Sequence, residues 1–231
     1  MVKTKSILAK LKRKWIKLRL QPIRVFCLHH VCEKFDDESM YPCDWMELSI
    51  FKQKIEKLRK QGYKFISLTA AHYKLKNDIF RIKKYAVLTF DDGYKSLQEV
   101  LPWLEEQNIP ATLFINGKYL DGYSYRETPN EEYLTYEELF ALNSPLIEVG
   151  HHGWEHTYIP SMTESELIQS IQLNNDILSF HPRYIPFWAY TCGRYCNNTK
   201  NIIGKYGIIP VKIDGNMNYY WQGNIDRELL E

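Results

Sequence analysis

The feature that most restricts the fold is the stretch Ala86-Val87-Leu88-Thr89-Phe90-Asp91-Asp92-Gly93-Tyr94. An apolar, partly β-branched run ends abruptly in two adjacent carboxylates and a glycine. Such a run, with no polar alternation, predicts a strand buried on both faces, as in sheets covered by helices. Asp91 and Asp92 then stand at that strand's C-terminal end, where α/β barrels and open α/β sheets carry their chemistry. Neighbours on an extended chain point opposite ways, so the two aspartates can take different roles. Gly93 permits a sharp exit into a helix over residues 95–107. From this stretch alone, an Asp-Asp-Gly turn without function reads equally well.

A second cluster changes that balance. Another short apolar segment, residues 146–149, runs into Gly150-His151-His152-Gly153-Trp154-Glu155-His156. Three of the seven histidines fall within these few positions. A single histidine is most often a hydrogen-bonded core or surface residue. Two imidazoles with one carboxylate, however, form a facial metal triad that leaves coordination positions open. Histidines after one strand and aspartates after another therefore point to a metal centre.

Thr89-Phe90-Asp91-Asp92-Gly93-Tyr94, followed by Gly150-x-His152-x-x-x-His156, resembles the first two motifs of the polysaccharide deacetylases, carbohydrate esterase family four. The resemblance implies a distorted (β/α) barrel, with Asp91 as general base and Asp92, His152 and His156 as metal ligands. Family members usually carry a small polar residue where this chain has His151. The pattern therefore selects His152, with His151 as its competitor. Residues 187–195, Phe-Trp-Ala-Tyr-Thr-Cys-Gly-Arg-Tyr, resemble the third motif, with Thr191 in place of Pro and Cys192 in place of Tyr. The family uses a backbone N–H there to hold the oxyanion, a role that passes to Cys192. Direct ligation by Cys192 is the competing reading. Leu28-His29-His30-Val31 resembles the Tyr-His-x-Val at the end of the first strand and brings in His29. Arg227 corresponds to an Arg near the end of this branch. The family's late Leu-x-His, whose His is the general acid in many members, has no match in this sequence. The proton donor is thus open between Asp91, returning the proton it took, and His29. The resemblance spans residues 23 to 228.

Elsewhere the pattern is alternation. Strands are predicted at residues 23–31, 64–68, 86–90, 111–115, 146–149, 184–190 and 208–213. Helices are predicted at 49–61, 95–107, 135–142, 163–180 and 199–206, with Thr135/Glu138 and Thr163/Glu166 as capping boxes. Residues 116–130 read as a loop over the site. About seven parallel strands with helices outside fit the implied barrel. The 231 residues suffice for one well-buried domain. A net charge of +2 gives no case for nucleic acid. Five scattered cysteines favour reduced thiols and a cytoplasmic setting.

The N-terminal segment, residues 1–22 before a catalytic domain over 23–231, has its own character. Residues 1–20 hold eight Lys or Arg and no acid, with Leu8, Leu11, Trp15 and Leu18 at helical spacing. This basic amphipathic pattern predicts peripheral membrane contact, or else a helix packed on the domain. The expected activity is removal of the N-acetyl group from an amino sugar of a polysaccharide or glycan precursor. It would use one divalent ion, zinc by default. A related amidohydrolase on a non-sugar amide and a non-catalytic glycan-binding relative are the alternatives.

Overall fold

The structure, a computed structural model, describes residues 20–33, 45–78, 80–122, 132–196 and 198–230. The basic segment up to residue 19 and residues 123–130 of the expected loop lie outside these. Among the described residues no helix is long and apolar enough to cross a membrane.

The elements follow one another as β1 (Ile23–Leu28), β2 (His30–Cys32), β3 (Trp45–Glu47), α1 (Leu48–Lys60), β4 (Tyr63–Phe65), α2 (Leu68–Asn77), β5 (Lys84–Phe90) and α3 (Leu97–Glu106). Then come β6 (Ala111–Ile115), α4 (Tyr136–Ala141), β7 (Ile147–His151), α5 (Glu164–Leu178), β8 (Tyr184–Ala189), α6 (Thr199–Lys205), β9 (Ile209–Ile213) and β10 (Ile225–Leu229). Strands β1, β5, β6, β7, β8, β9 and β10 close into a seven-stranded parallel barrel, because β1 pairs with both β5 and β10. The fold is the distorted (β/α) barrel that the sequence implied.

The membership of the ring differs from expectation. The segment expected as a strand at 64–68 is β4, which among the described residues pairs only with Lys84–Ala86 of β5. It uses the edge that β6 takes over from Leu88 onward, so it stays outside the ring. Its place is filled by β10, which local pattern did not reveal. The helix α2 was likewise not expected, although Leu68, Ala71 and Leu75 recur at helical spacing after the capping residue Ser67.

Strand periodicity sorts the core into layers. Val25, Val87, Phe114, Phe187, Val211 and Ile225 point into the barrel. Leu68, Ala71 and Leu75 of α2 pack onto them and plug the N-terminal mouth. Phe26, Leu28, Ala86, Leu88 and Phe90 point outward beneath α1 and α3. Trp188 and Tyr190 face α5 and α6. Both predicted capping boxes form, at Thr135/Glu138 and Thr163/Glu166. A plugged lower end leaves the C-terminal ends of the strands as the open face.

Candidate active site

Asp91 continues the inward row of Val87 and Thr89. Its N–H donates to the Leu28 carbonyl (2.9 Å), which ties it to the end of β1. Directly after it the chain makes a three-residue turn. Gly93 N–H donates to the Asp91 carbonyl (2.9 Å) around Asp92, whose φ is 71°. This left-handed form of the turn is rare and strained, at about 1–3 kcal/mol for a non-glycine residue. It swings the Asp92 carboxylate away from that of Asp91. Gly93 is itself left-handed (φ 81°), and a Cβ there would lie 2.9 Å from Ile115 Cδ1.

Both oxygens of Asp91 are held. Arg227 Nη1 donates to Oδ1 (2.6 Å) and Nη2 to Oδ2 (2.8 Å). The Cys27 thiol donates to Oδ2 (3.4 Å). Arg227 Nη1 also donates to Thr89 Oγ1 (3.0 Å), and that hydroxyl donates to the Phe26 carbonyl (2.8 Å). Arg227 is 0% exposed. A buried guanidinium is tolerated only when paired and hydrogen-bonded in this way. Burial alone would push the Asp91 carboxyl up, but Arg227 and His152 hold it below the ordinary carboxylate value.

The histidines are delivered by β7. Gly150 is required by crowding, since a Cβ would lie 2.8 Å from the Phe187 carbonyl and 2.9 Å from the Phe114 ring. The β7–β8 register slips between Val149 and His151. His151 shares the parity of Ile147 and Val149 and so faces the helices, and its Nε2 bonds the Tyr184 hydroxyl (2.9 Å). His152 faces the barrel mouth. Its Nδ1 meets the Ala189 carbonyl at 2.8 Å, and a carbonyl only accepts, so Nδ1 carries the hydrogen. The neutral ring then presents the Nε2 lone pair, 3.2 Å from Asp92 Oδ1. Asn116 Nδ2 steadies the loop through the carbonyls of His152 (2.9 Å) and Gly153 (3.1 Å). His156, at φ 30°, brings its own Nε2 to 3.4 Å from the same oxygen.

Three acceptor atoms therefore converge: two ring nitrogens and a carboxylate oxygen, all within 4.8 Å of one another. Asp92 Oδ1 is buried with no hydrogen-bond partner among the described residues. Facing lone pairs repel unless a cation lies between them. Burial holds the His156 ring below its ordinary value, whereas, against burial, the carboxylates of Asp91 and Asp92 raise that of His152. A divalent ion suits two imidazoles and a carboxylate.

The residues singled out from sequence thus separate clearly. Asp91, Asp92, His152 and His156 come together. His29 joins them, with Nε2 4.0 Å from Asp92 Oδ2. His151 is in the outer layer, and burial pushes its pKa down to about 4. Cys192 lies in a short turn after β8 at φ 53° and stands outside the Asp92 ligand group. Sequence reasoning missed Cys27 and Thr89, the two further groups on the Asp91–Arg227 pair. Strand parity could have found both, since Cys27 lies two residues before His29 and Thr89 two before Asp91.

Comparison with known proteins agrees with this geometry. The chain is 26% identical over 162 residues to YxkH of Bacillus subtilis (strain 168), covering 68% of this chain and 54% of YxkH. It is 26% identical over 145 residues to the poly-beta-1,6-N-acetyl-D-glucosamine N-deacetylase of Escherichia coli (strain K12), covering 59% of this chain and 22% of that protein. The chain thus spans about half the length of the first relative and about a fifth of the second. In fold it is similar to IcaB from Ammonifex degensii, with a TM-score of 0.74 at 18% identity over 90% of this chain and 91% of the other. The profile of the polysaccharide deacetylase family matches residues 81–211, a span that carries Asp91, Asp92, His152, His156 and the 187–195 segment. The chain belongs to the polysaccharide deacetylase family.

Proposed function

We propose that the chain is a metal-dependent N-deacetylase acting on an N-acetylated amino sugar of a polysaccharide or glycan precursor. The observation that carries this reading is the orphaned Asp92 Oδ1 between two histidine nitrogens, beside an Asp91 that Arg227 keeps charged. Binding alone needs no base next to a metal ligand group.

Asp92, His152 and His156 hold the divalent ion, zinc by default. When bound, it supplies Lewis-acid polarisation of the acetyl carbonyl and lowers the pKa of water. Asp91 is the general base. Arg227 occupies one lone pair on each of its oxygens and the Cys27 thiol a second on Oδ2, which orients the carboxylate and leaves a lone pair on Oδ1 to take the proton of the attacking water. The backbone N–H of Cys192 helps to hold the oxyanion, in a turn whose left-handed residue fixes the direction of that N–H. His29, near Asp92 and part-exposed, is in place to give a proton to the leaving amine. Acetate leaves and the sugar keeps a free amine.

The test joins metal analysis to acetate release from a panel of N-acetylated sugar oligomers. The wild-type chain is expected to carry one divalent ion and to release acetate. Asp91→Asn should keep the ion and lose turnover by about 10²–10⁴-fold. Asp92→Asn should lose both. Protein that holds no metal, takes up none on titration and releases no acetate overturns the reading. Metal uptake without acetate release from any sugar favours the non-catalytic or non-sugar alternatives.

A further inference from the structure

The plugged end of the barrel has a face that deacetylation does not use. The loop before β5 is separated from Asp91 by the whole of that strand, about 23 Å at the ordinary rise per residue. In this loop Phe80 is 83% and Ile82 80% exposed, and Tyr73 on α2 is 68% exposed. Scattered apolar side chains on a surface are ordinary. These three lie within ten positions of one another, and two of them are held outward by a specific device.

That device is Arg81, which is 2% exposed between them. It donates to the carbonyls of Gln21 (3.0 Å), Lys74 (3.2 Å), Asp78 (3.1 Å) and Tyr219 (2.7 Å). With Arg81 turned inward, Phe80 and Ile82 on either side of it stand in solvent. The clamp also fixes where the N-terminal segment leaves the barrel, because Gln21 N–H donates to the Arg81 carbonyl (2.9 Å).

Charge indicates what meets this face. Residues 73–84 hold five Lys or Arg and one acid, Asp78. Lys76 and Lys83 are exposed. The segment that precedes Leu20, residues 1–19, has eight Lys or Arg and no acid. Like charges oppose the packing of that segment onto the face. Both are complementary to the same third surface, one that is anionic outside and apolar beneath.

We propose that this end of the barrel docks on an anionic lipid bilayer. Phe80 and Ile82 enter the boundary between headgroups and acyl chains, and Lys76 and Lys83 meet the lipid phosphates. The barrel then stands on its plugged end with the mouth directed away from the membrane. Its substrate is accordingly a glycan segment standing off the bilayer rather than a sugar at headgroup level.

The experiment is co-sedimentation of the full chain with phosphatidylcholine vesicles, with and without about 30% phosphatidylglycerol, at about 0.05 M and about 0.5 M salt. The wild type should pellet with the anionic vesicles at low salt and much less at high salt. Phe80→Ser/Ile82→Ser should weaken that partitioning by about tenfold or more. Lys76→Gln/Lys83→Gln should weaken it and flatten the salt dependence. Both double variants should keep the wild-type melting temperature and metal content. A wild type that stays in the supernatant with anionic vesicles at low salt overturns the proposal, as does a serine variant that pellets like wild type. If instead the serine variant melts lower and no form binds vesicles, the face packs against residues 1–19. If it abolishes a dimer seen by sedimentation velocity and no form binds vesicles, the occupant is a second copy. Either result also overturns the proposal, and none of them bears on deacetylation.

Discussion

At the residue scale, Arg227 and Asp91 have to be understood together. Each is buried, and each is tolerable only because of the other. Removing one partner of such a pair typically costs about 3–5 kcal/mol, because the remaining charge is left in a dry site. Arg227→Lys separates charge from shape, since it keeps the cation and loses the planar fork. The lysine variant is expected to fold and bind metal, with kcat down about tenfold or more and KM little changed. Steady-state kinetics with metal analysis checks this, and unchanged kcat would show that charge alone suffices. The pair also marks the limit of sequence reading. Asp91 and the choice of His152 over His151 came from the family resemblance, and the geometry brings His152 rather than His151 beside Asp92. Strand parity supports the same choice, since His151 shares the outward face of Ile147 and Val149; the crowding that requires Gly150 was not legible, because it depends on Phe187 and Phe114 from two other strands.

At the element scale, most strands and helices of the barrel follow from patterns local to each segment. Two elements escaped for different reasons. β10 has Asp226 and Arg227 buried in its middle, which reads locally as a polar loop. Their partners, Lys212 and Asp91, are remote in sequence. α2 did carry a helical pattern, but its fit depends on the barrel. Glu148, inside β7, accepts from the N–H groups of Leu68 (2.9 Å) and Thr69 (3.3 Å) at the start of α2, and from Thr112 Oγ1 (3.1 Å). A strand residue thus caps the helix that plugs the barrel. Glu148→Ala should lower stability by about 1–3 kcal/mol, as expected for donors left unpaired away from water. Urea unfolding measures it, and a change below about 0.5 kcal/mol would mean that Ser67 suffices as the cap.

At the scale of the whole molecule, a ladder of rings joins segments far apart in the chain. His30 is stacked between Trp45 (centroids 3.9 Å apart) and Tyr94 (3.7 Å), and its Nδ1 meets Ser96 Oγ at 3.1 Å. Burial holds its pKa down at about 3. The unfolded chain takes up this proton near pH 6.5, while the folded protein refuses it until about pH 3. Stability from His30 is therefore complete above about pH 6.5 and is lost as pH falls through the interval below. The slope approaches about 1.4 kcal/mol per pH unit. Denaturant unfolding at pH 7 and pH 5 should show this loss, and His30→Asn should remove about one proton's worth of it. An unaltered slope in the variant would assign the pH dependence to other groups.

The position of Arg227 also has a meaning in time. β10 is the last strand of the ring to leave the ribosome, and it carries the cation that Asp91 needs. Until it inserts between β9 and β1, the ring is open and the aspartate has no partner. On the proposed roles, a chain that ends before β10 holds Asp92, His152 and His156 and still lacks the cation that pairs with Asp91. If Asp91 is the base, a stop anywhere before residue 227 is expected to yield an inert product, which acetate release from such a truncated chain would check.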